Sequence, residues 1–476
     1  MCKTIEDDQS LEQLSKFVDE PEITKSTLGP FKYHRRCWET IEDDQDKIKC
    51  DYGKFKDIIV RPQWLRCIAN SSFGFRAQML NYLETNDVSS TPVIFFINKL
   101  SGGQKGDQVY RTLVHLLNPR QVFLLENDTT IMQALNIYSS LSNIRICICG
   151  GDGTVAWILS RLMDAFPSLK NPPVSICPLG TGNDMSRALG WGYRYKPRQL
   201  MKTLTQISRA HSTPLDRWRI QIEALEINRS NNEFVNRRRR FSSFMRHPNF
   251  GLDAAIVVDY YASRTRHPSK FTSPLKNKIL CINESRKYFN DFAFGIAWDL
   301  TSYIRLICDG QDFTDSIRHC HSLIVLNTRS FGSGTHPWSG KSKNRIESLS
   351  DDHEEDDSFD QISTHSLPTH DSPINDHDEN QTTTTIGGLG RAALDNFETQ
   401  DFGDRKIEVL GLNIRQMALI RMGFRGHRIT QCSQLRIELN HPMPVHMDGG
   451  PFYLAGSMAV NITHAGQVMV LTNQNR

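Results

Sequence analysis

Long apolar runs are missing from this sequence: no uninterrupted stretch of about 18 apolar residues occurs, so no segment reads as a membrane-spanning helix. The amino end, MCKTIEDDQSLEQL, is acidic and has no apolar core, which argues against a secretory leader. Charge of one sign is scarce as well. With 56 basic against 53 acidic residues the formal charge is only +3, too little for the broad field that nucleic-acid binding uses, and no nucleic-acid partner is expected. The local run Arg237 to Arg240 reads as a solvated loop. The 11 cysteines are scattered and none forms a Cys-x-x-Cys pair, so neither a disulfide framework nor a complete zinc module is indicated, and a reducing, cytoplasmic compartment is expected. His34-x-x-Cys37 with Cys50 supplies three ligands, one short of a closed tetrahedral zinc site. The phosphate loop GxxxxGK[ST] is also absent, and with it the lysine that neutralises phosphate charge there.

The length, 476 residues, exceeds what one core usually holds, so two domains are expected. Residues 1–88 are polar and irregular, apart from an apolar patch at Ile58 to Leu65 suited to packing as a hook on the next domain. From residue 89 to 225 the pattern is strand, Gly-rich turn, helix. VIFFI (Val93 to Ile97), IRICIC (Ile144 to Cys149) and VSIC (Val174 to Cys177) are short continuous apolar runs of the kind buried on both faces of a parallel sheet. Val155, Ile158, Leu159, Leu162, Met163 and Phe166 recur at helical spacing after the second run, giving one face to pack on that sheet. This half is expected to be a doubly wound α/β domain that binds a nucleotide. Residues 245–472 change texture: KIEVLGL, QLRIELN, SMAVNIT and QVMVLT alternate as antiparallel strands do, and predict a mostly antiparallel β domain. Between 341 and 398 the acidic run DDHEEDDSFD and the tract TTTT lack apolar periodicity, so a disordered insertion in a surface loop is expected.

The chemistry is concentrated in the turns. Gly150-Gly151-Asp152-Gly153-Thr154 stands where a strand ends and a helix begins. Glycine lets the backbone approach a phosphate, and the helix start turns unpaired N–H groups toward it. A carboxylate beside phosphate is repelled unless a magnesium ion or a moving proton lies between, so Asp152 is a candidate metal ligand and catalytic group. Leu179-Gly180-Thr181-Gly182-Asn183-Asp184 repeats that logic at the next strand end, and Asn98 with Ser101-Gly102-Gly103 makes a third turn. Three such turns converge on the crevice at the carboxyl ends of the strands and predict a nucleotide site. Core packing is the expected place of Trp157, Trp191 and Trp218, and a packed or solvated place that of His247, His267, His319 and His321.

The segments GGDGTVAWIL, PLGTGNDMSRALGWG and LDRWRIQI resemble the catalytic-domain signature of eukaryotic diacylglycerol kinases, and KIEVLGL with PMPVHMDGGPF resembles that family's accessory domain. The likeness runs from about Asp51 to the carboxyl end, without the acidic insertion. CDYGKFKDIIVRP and NITHAGQVMVL are most similar to the epsilon isotype. The resemblance implies an ATP- and Mg2+-dependent lipid kinase that phosphorylates diacylglycerol to phosphatidic acid, peripherally attached to a membrane surface. It places phosphates and magnesium at Gly150, Gly151, Asp152, Gly153 and Thr154, a facing loop at Gly180, Thr181, Gly182 and Asn183, with Asp184 at its end as a second catalytic carboxylate, and a further catalytic acidic group near the reacting atoms at Asp216. One departure bears on catalysis. Relatives read DGE where this chain has Asp448-Gly449-Gly450, which leaves a nucleotide- or lipid-binding scaffold of low activity as the rival expectation; a related lipid kinase with another acceptor is a second rival.

Overall fold

The computed structural model describes residues 90–141, 143–227, 234–244, 247–271, 299–339, 397–447 and 450–473, with short stretches elsewhere, among them 53–61 and 64–67. Cys37, Cys50 and most of the acidic stretch at 341–398 lie outside the described residues. The apolar runs form a parallel core. β1 (Val93–Ile97) lies between β2 (Val122–Leu124) and β3 (Arg145–Gly150), and β4 (Val174–Pro178) pairs with β3, all in parallel. Every residue of β1 and β4 is buried, as strands covered on both faces must be. The chain leaves β1 toward one side and resumes at β3 on the other. The gap between the carboxyl ends of β1 and β3 is therefore the topological switch point of a doubly wound sheet.

Helices α1 (Ser101–Leu116), α2 (Asp128–Ile137) and α3 (Asp152–Ala165) connect these strands. In α3, Val155, Ile158, Leu159 and Leu162 are buried at the spacing of one helical face. Two shorter helices follow β4, α4 (Asp184–Ala188) and α5 (Pro197–Ile207), the latter opened by proline at its first position, where the missing N–H costs nothing. Ile58, Ile59, Val60 and Trp64 join the core of this half. Their backbone is held by Gln121, whose side chain accepts from the Val60 amide at 2.9 Å and donates to the Ile58 carbonyl at 2.9 Å.

Two long strands link the halves. β5 (His211–Ile227, 17 residues) pairs antiparallel with the strand that closes the described chain, Met458–Thr472, 15 residues long. SMAVNIT and QVMVLT, which read as two strands in sequence, are thus one, with a register shift between His464 and Gly466. Its ends serve different cores: Val468, Val470 and Leu471 pack with the parallel sheet, while Val460 and Ile462 pack in the second core. β6 (Phe234–Phe244) pairs with β5, so Arg237 to Arg240 are part of a strand and not of a loop. The local signal failed because consecutive arginines carry no alternation.

The remaining strands are antiparallel. β7 (Asn249–Gly251), followed by helix α6 (Leu252–Arg266), sits inside a six-stranded sheet. β8 (Ile304–Cys308) and β9 (Gln311–Asp312) extend the first sheet. The six-stranded sheet continues with β10 (Ser322–Leu326), β11 (Ile407–Leu412) and β12 (His427–Cys432). β13 (Gln434–Leu439) pairs with β8, and β14 (Met443–Met447) and β15 (Gly450–Leu454) form the far edge of the six-stranded sheet. The closing strand, β16 (Met458–Thr472), pairs with β13, β5 and, in parallel at Val470 and Val174, with β4.

Glu408, on β11, is fully buried among these strands. Burial pushes its carboxyl up from 4.5 to about 8, although side-chain N–H groups of Gln431 and Gln400 donate to it and pull the other way. The folded chain therefore keeps this proton in a range where the unfolded chain has lost it. The stability that Glu408 lends is complete below about pH 4.5, falls as the pH rises toward 8 and is flat beyond. Melting curves of Glu408→Gln between those limits should slope less with pH than those of the unaltered chain; an unchanged slope would assign it to other groups.

Candidate nucleotide site

Each Gly-rich turn emerges from a parallel strand, and the three meet. Asn98, just past β1, donates its amide N–H to the Cys149 carbonyl of β3 at 3.0 Å and its side-chain Nδ2 to Thr154 Oγ1 of α3 at 3.0 Å. Its Oδ1 accepts from the Leu100 amide, turning the chain into α1, whose first turn holds Ser101, Gly102 and Gly103. Gly102 has φ +66°, and a Cβ there would collide with the Leu179 carbonyl oxygen of the third turn. At Gly180 an added Cβ would lie 2.6 Å from the Gly151 Cα, so the second and third turns touch backbone to backbone. Gly150 allows the Thr154 side chain to fold back against it, at 2.6 Å from the position a Cβ would take. Gly153, by contrast, faces open space in the first turn of α3, where helix amides have no partner of their own.

Asn183 holds the third turn in the left-handed region at φ 53°. Its Oδ1 accepts from the Gly180 amide at 2.9 Å, and its Nδ2 donates to the carbonyls of Gly180 and Tyr193, each at 2.8 Å. Thr181 and Gly182, between these anchors, are half-buried. A Cβ on Gly182 would sit 3.1 Å from Asp152 Oδ2 and 3.4 Å from Asp184 Oδ2, so this glycine leaves room between the two carboxylates.

The two carboxylates are differently engaged. Asp152 accepts the backbone N–H groups of Asp184 at 3.1 Å and Met185 at 3.0 Å, tying the start of α4 to the start of α3. Asp184 is buried and accepts from Ser330 Oγ at 2.7 Å, the Ser333 amide at 3.0 Å and the Gly334 amide at 2.9 Å. Sequence reasoning missed this loop, 330–334 after β10. Its signal was present in the run SLIVL followed by SFGSG, a fourth strand and glycine turn. Arg187 was missed too: its Nε donates to the Gly182 carbonyl at 3.1 Å and its guanidinium lies 4.9 Å from the Tyr193 ring centre. Burial lowers the pKa of Arg187, and the charges of Asp184 and Asp152 and the Tyr193 hydroxyl oppose that shift.

Asp216 stands apart from this pair. It is fully buried on β5, and its carboxylate accepts from the Arg405 amide at 2.6 Å and from His464 Nε2 and Gln467 Nε2, both at 2.9 Å. The Asp216 carbonyl accepts from Asn327 Nδ2, and Asn327 Oδ1 accepts from Trp218 Nε1. Trp191 and Trp218 are fully buried, as expected of core residues.

Among the described residues, no group of three or more His, Cys, Asp or Glu side chains is placed to hold a metal ion by itself. Oxygen donors at Asp152 suit a hard cation that brings its remaining ligands on phosphate and water, the usual manner for magnesium. The backbone cradle at Gly151, Gly153 and Gly180 likewise suits a phosphate chain. Among the described residues no helix is long and apolar enough to cross a membrane.

Comparison with known proteins places names on both halves. A model of the diacylglycerol kinase catalytic domain matches residues 92–220, and one of the diacylglycerol kinase accessory domain matches residues 248–451. Human diacylglycerol kinase zeta is 31% identical over 370 residues, 77% of this chain and 34% of that protein. The eye-specific diacylglycerol kinase of Drosophila melanogaster is 33% identical over 364 residues, 75% of this chain and 21% of that protein. This chain thus spans about a third or less of either relative's length. Probable diacylglycerol kinase 3 of Caenorhabditis elegans is 28% identical over 474 residues, covering 94% of this chain and 54% of that protein. A crystal structure of a diacylglycerol kinase from Bacillus anthracis is similar with a TM-score of 0.41 and 13% identity over 80% of this chain and 97% of that one.

Proposed function

This chain carries the catalytic and the accessory domain of the diacylglycerol kinases, and we propose that it moves the γ-phosphoryl group of ATP onto the free hydroxyl of a membrane diacylglycerol, giving phosphatidic acid. Residues 89–225 hold the nucleotide in this proposal, and residues 245–472 present the lipid. The observation that carries it is the meeting of three Gly-rich turns at the sheet's switch point, with a carboxylate at the start of α3.

Phosphoryl transfer asks for positioning and charge neutralisation more than for covalent help. Magnesium would supply the neutralisation. The amides at the start of α3 and the glycines of the facing loop bind the phosphate chain, Asn98 and Thr154 hold two of the turns together, and Asp152 carries the metal-facing charge or accepts the hydroxyl proton. Asp184 fixes the loop 330–334 beside the reacting groups. Asp216, as a catalytic group, would act through the buried contacts that join the halves. At the level of isotype we propose an epsilon-type enzyme, supported by CDYGKFKDIIVRP and NITHAGQVMVL. The place of action is the cytoplasmic face of a membrane, reached peripherally.

A scaffold of low activity is favoured by one observation. The family resemblance implies a glutamate where Gly450 stands, and the φ of +121° there suits glycine far better than any side chain. Radiolabel transfer from ATP to diacylglycerol in mixed micelles, with magnesium present and then removed by chelation, decides between the two. Labelled phosphatidic acid that vanishes on chelation is the expected result. Nucleotide and lipid binding without transfer would establish the scaffold.

A further inference from the structure

The connection from β11 to β12 has a composition of its own. Between the end of β11 and the start of β12 there is no acidic residue, while Arg415, Arg421 and Arg425 fall in that interval. Helix α7 (Ile414–Leu419) opens it, with a capping box in which Asn413 Oδ1 accepts from the Gln416 amide at 2.8 Å. The helix continues as one tighter turn, Ile420–Met422, ended by Gly423 at φ 94°. Ile420 points into the core beneath and is 4% exposed. Met417 packs with it, but three apolar neighbours do the opposite. Leu419 is 37%, Met422 66% and Phe424 55% exposed.

An isolated exposed apolar side chain needs no explanation, but three in six residues on a firmly anchored turn, with arginines interleaved in the sequence, form a surface with a definite preference. An apolar tip with a cationic rim fits the boundary between acyl chains and anionic headgroups. The tip is also tied to the nucleotide site. The Gly426 amide donates to the Pro337 carbonyl at 2.8 Å, and Arg428 stacks 5.6 Å from Trp338 and 5.0 Å from Phe397. Three residues before Pro337 lies Gly334, whose amide is held by Asp184.

We infer that Leu419, Met422 and Phe424 are the part of this chain that enters an anionic lipid surface, with the exposed Arg415 and Arg425 meeting its headgroups. The inference rests on the proposed reaction at a membrane, because a kinase whose acceptor is embedded in a bilayer needs its site held against that bilayer. Binding itself requires neither ATP nor catalysis.

The test is sedimentation of the full chain with vesicles of phosphatidylcholine alone or with about thirty per cent phosphatidylserine. The chain should partition onto the anionic vesicles and lose much of that binding in about 0.5 M salt, where screening shortens the reach of charge. Met422→Ser with Phe424→Ser should weaken partitioning about tenfold or more, and so should Arg415→Gln with Arg425→Gln. Both double variants should phosphorylate a short-chain diacylglycerol dispersed as monomers as fast as the unaltered chain. A chain that ignores anionic vesicles, or a Met422/Phe424 variant that binds them undiminished, overturns the inference. So does equal loss of activity on the monomeric substrate, which would place these residues in the fold or the site. Vesicle binding that depends on these residues, in a chain that phosphorylates diacylglycerol neither as monomers nor in mixed micelles, would keep the docking surface and remove the kinase.

Discussion

Asp152→Ala should lower phosphoryl transfer by about a hundredfold or more while leaving most of the fold in place, the size expected when a group acting on charge or protons in the transition state is lost. The carboxylate has two duties that this variant removes together. It presents negative charge at the first turn of α3, and it receives the amides of Asp184 and Met185. Asp152→Asn separates them, because a side-chain carbonyl still accepts one amide but carries no charge. If charge matters, the asparagine variant should be nearly as slow as the alanine variant, with a smaller loss of melting temperature. A folded asparagine variant with near-normal kcat would leave Asp152 as a tie between two helix starts and send the search for the catalytic carboxylate elsewhere.

Asp216→Ala should cost stability first. The side chain is fully buried and takes donors from three segments, the Arg405 amide, His464 and Gln467. Removing it takes an acceptor from a backbone N–H and two side-chain donors at partly buried positions, although Gln467 Nε2 keeps the Gly403 carbonyl, a loss of about 1 to 3 kcal/mol. For a chain of this size that is a fall in Tm of about a few degrees. Calorimetry checks this directly. A variant that melts like the unaltered chain but transfers no phosphate would make Asp216 a group of the reaction and not of the architecture.

The contrast between these aspartates explains what the sequence could reveal. β1, β3 and β4 were legible because VIFFI, RICICG and VSICP are apolar on both faces, and the turns after them because only glycine tolerates backbones as close as those of Gly151 and Gly180. Local pattern carries such features whole. What Asp184 and Asp216 touch is not local: Ser330 lies 146 residues beyond Asp184, and His464 lies 248 beyond Asp216. No periodicity encodes those partners. β16 was hidden for a different reason, since the shift between His464 and Gly466 breaks the alternation in mid-strand and divides one element into two apparent ones. The docking turn was missed because arginines interleaved with Met422 and Phe424 read as ordinary loop until their exposure is known.

The pairing of β16 with β4 also sets an order of events during synthesis. Asn171, at the entrance to β4, shares its side chain with Met469, 298 residues later. A ribosome adding about 5 to 20 residues per second needs tens of seconds to make that distance. Throughout that time the nucleotide half is translated but lacks its last neighbour, and the edge of β4 at Val174 waits for Val470. A chain stopped before β16 would therefore leave that edge of the parallel sheet uncovered.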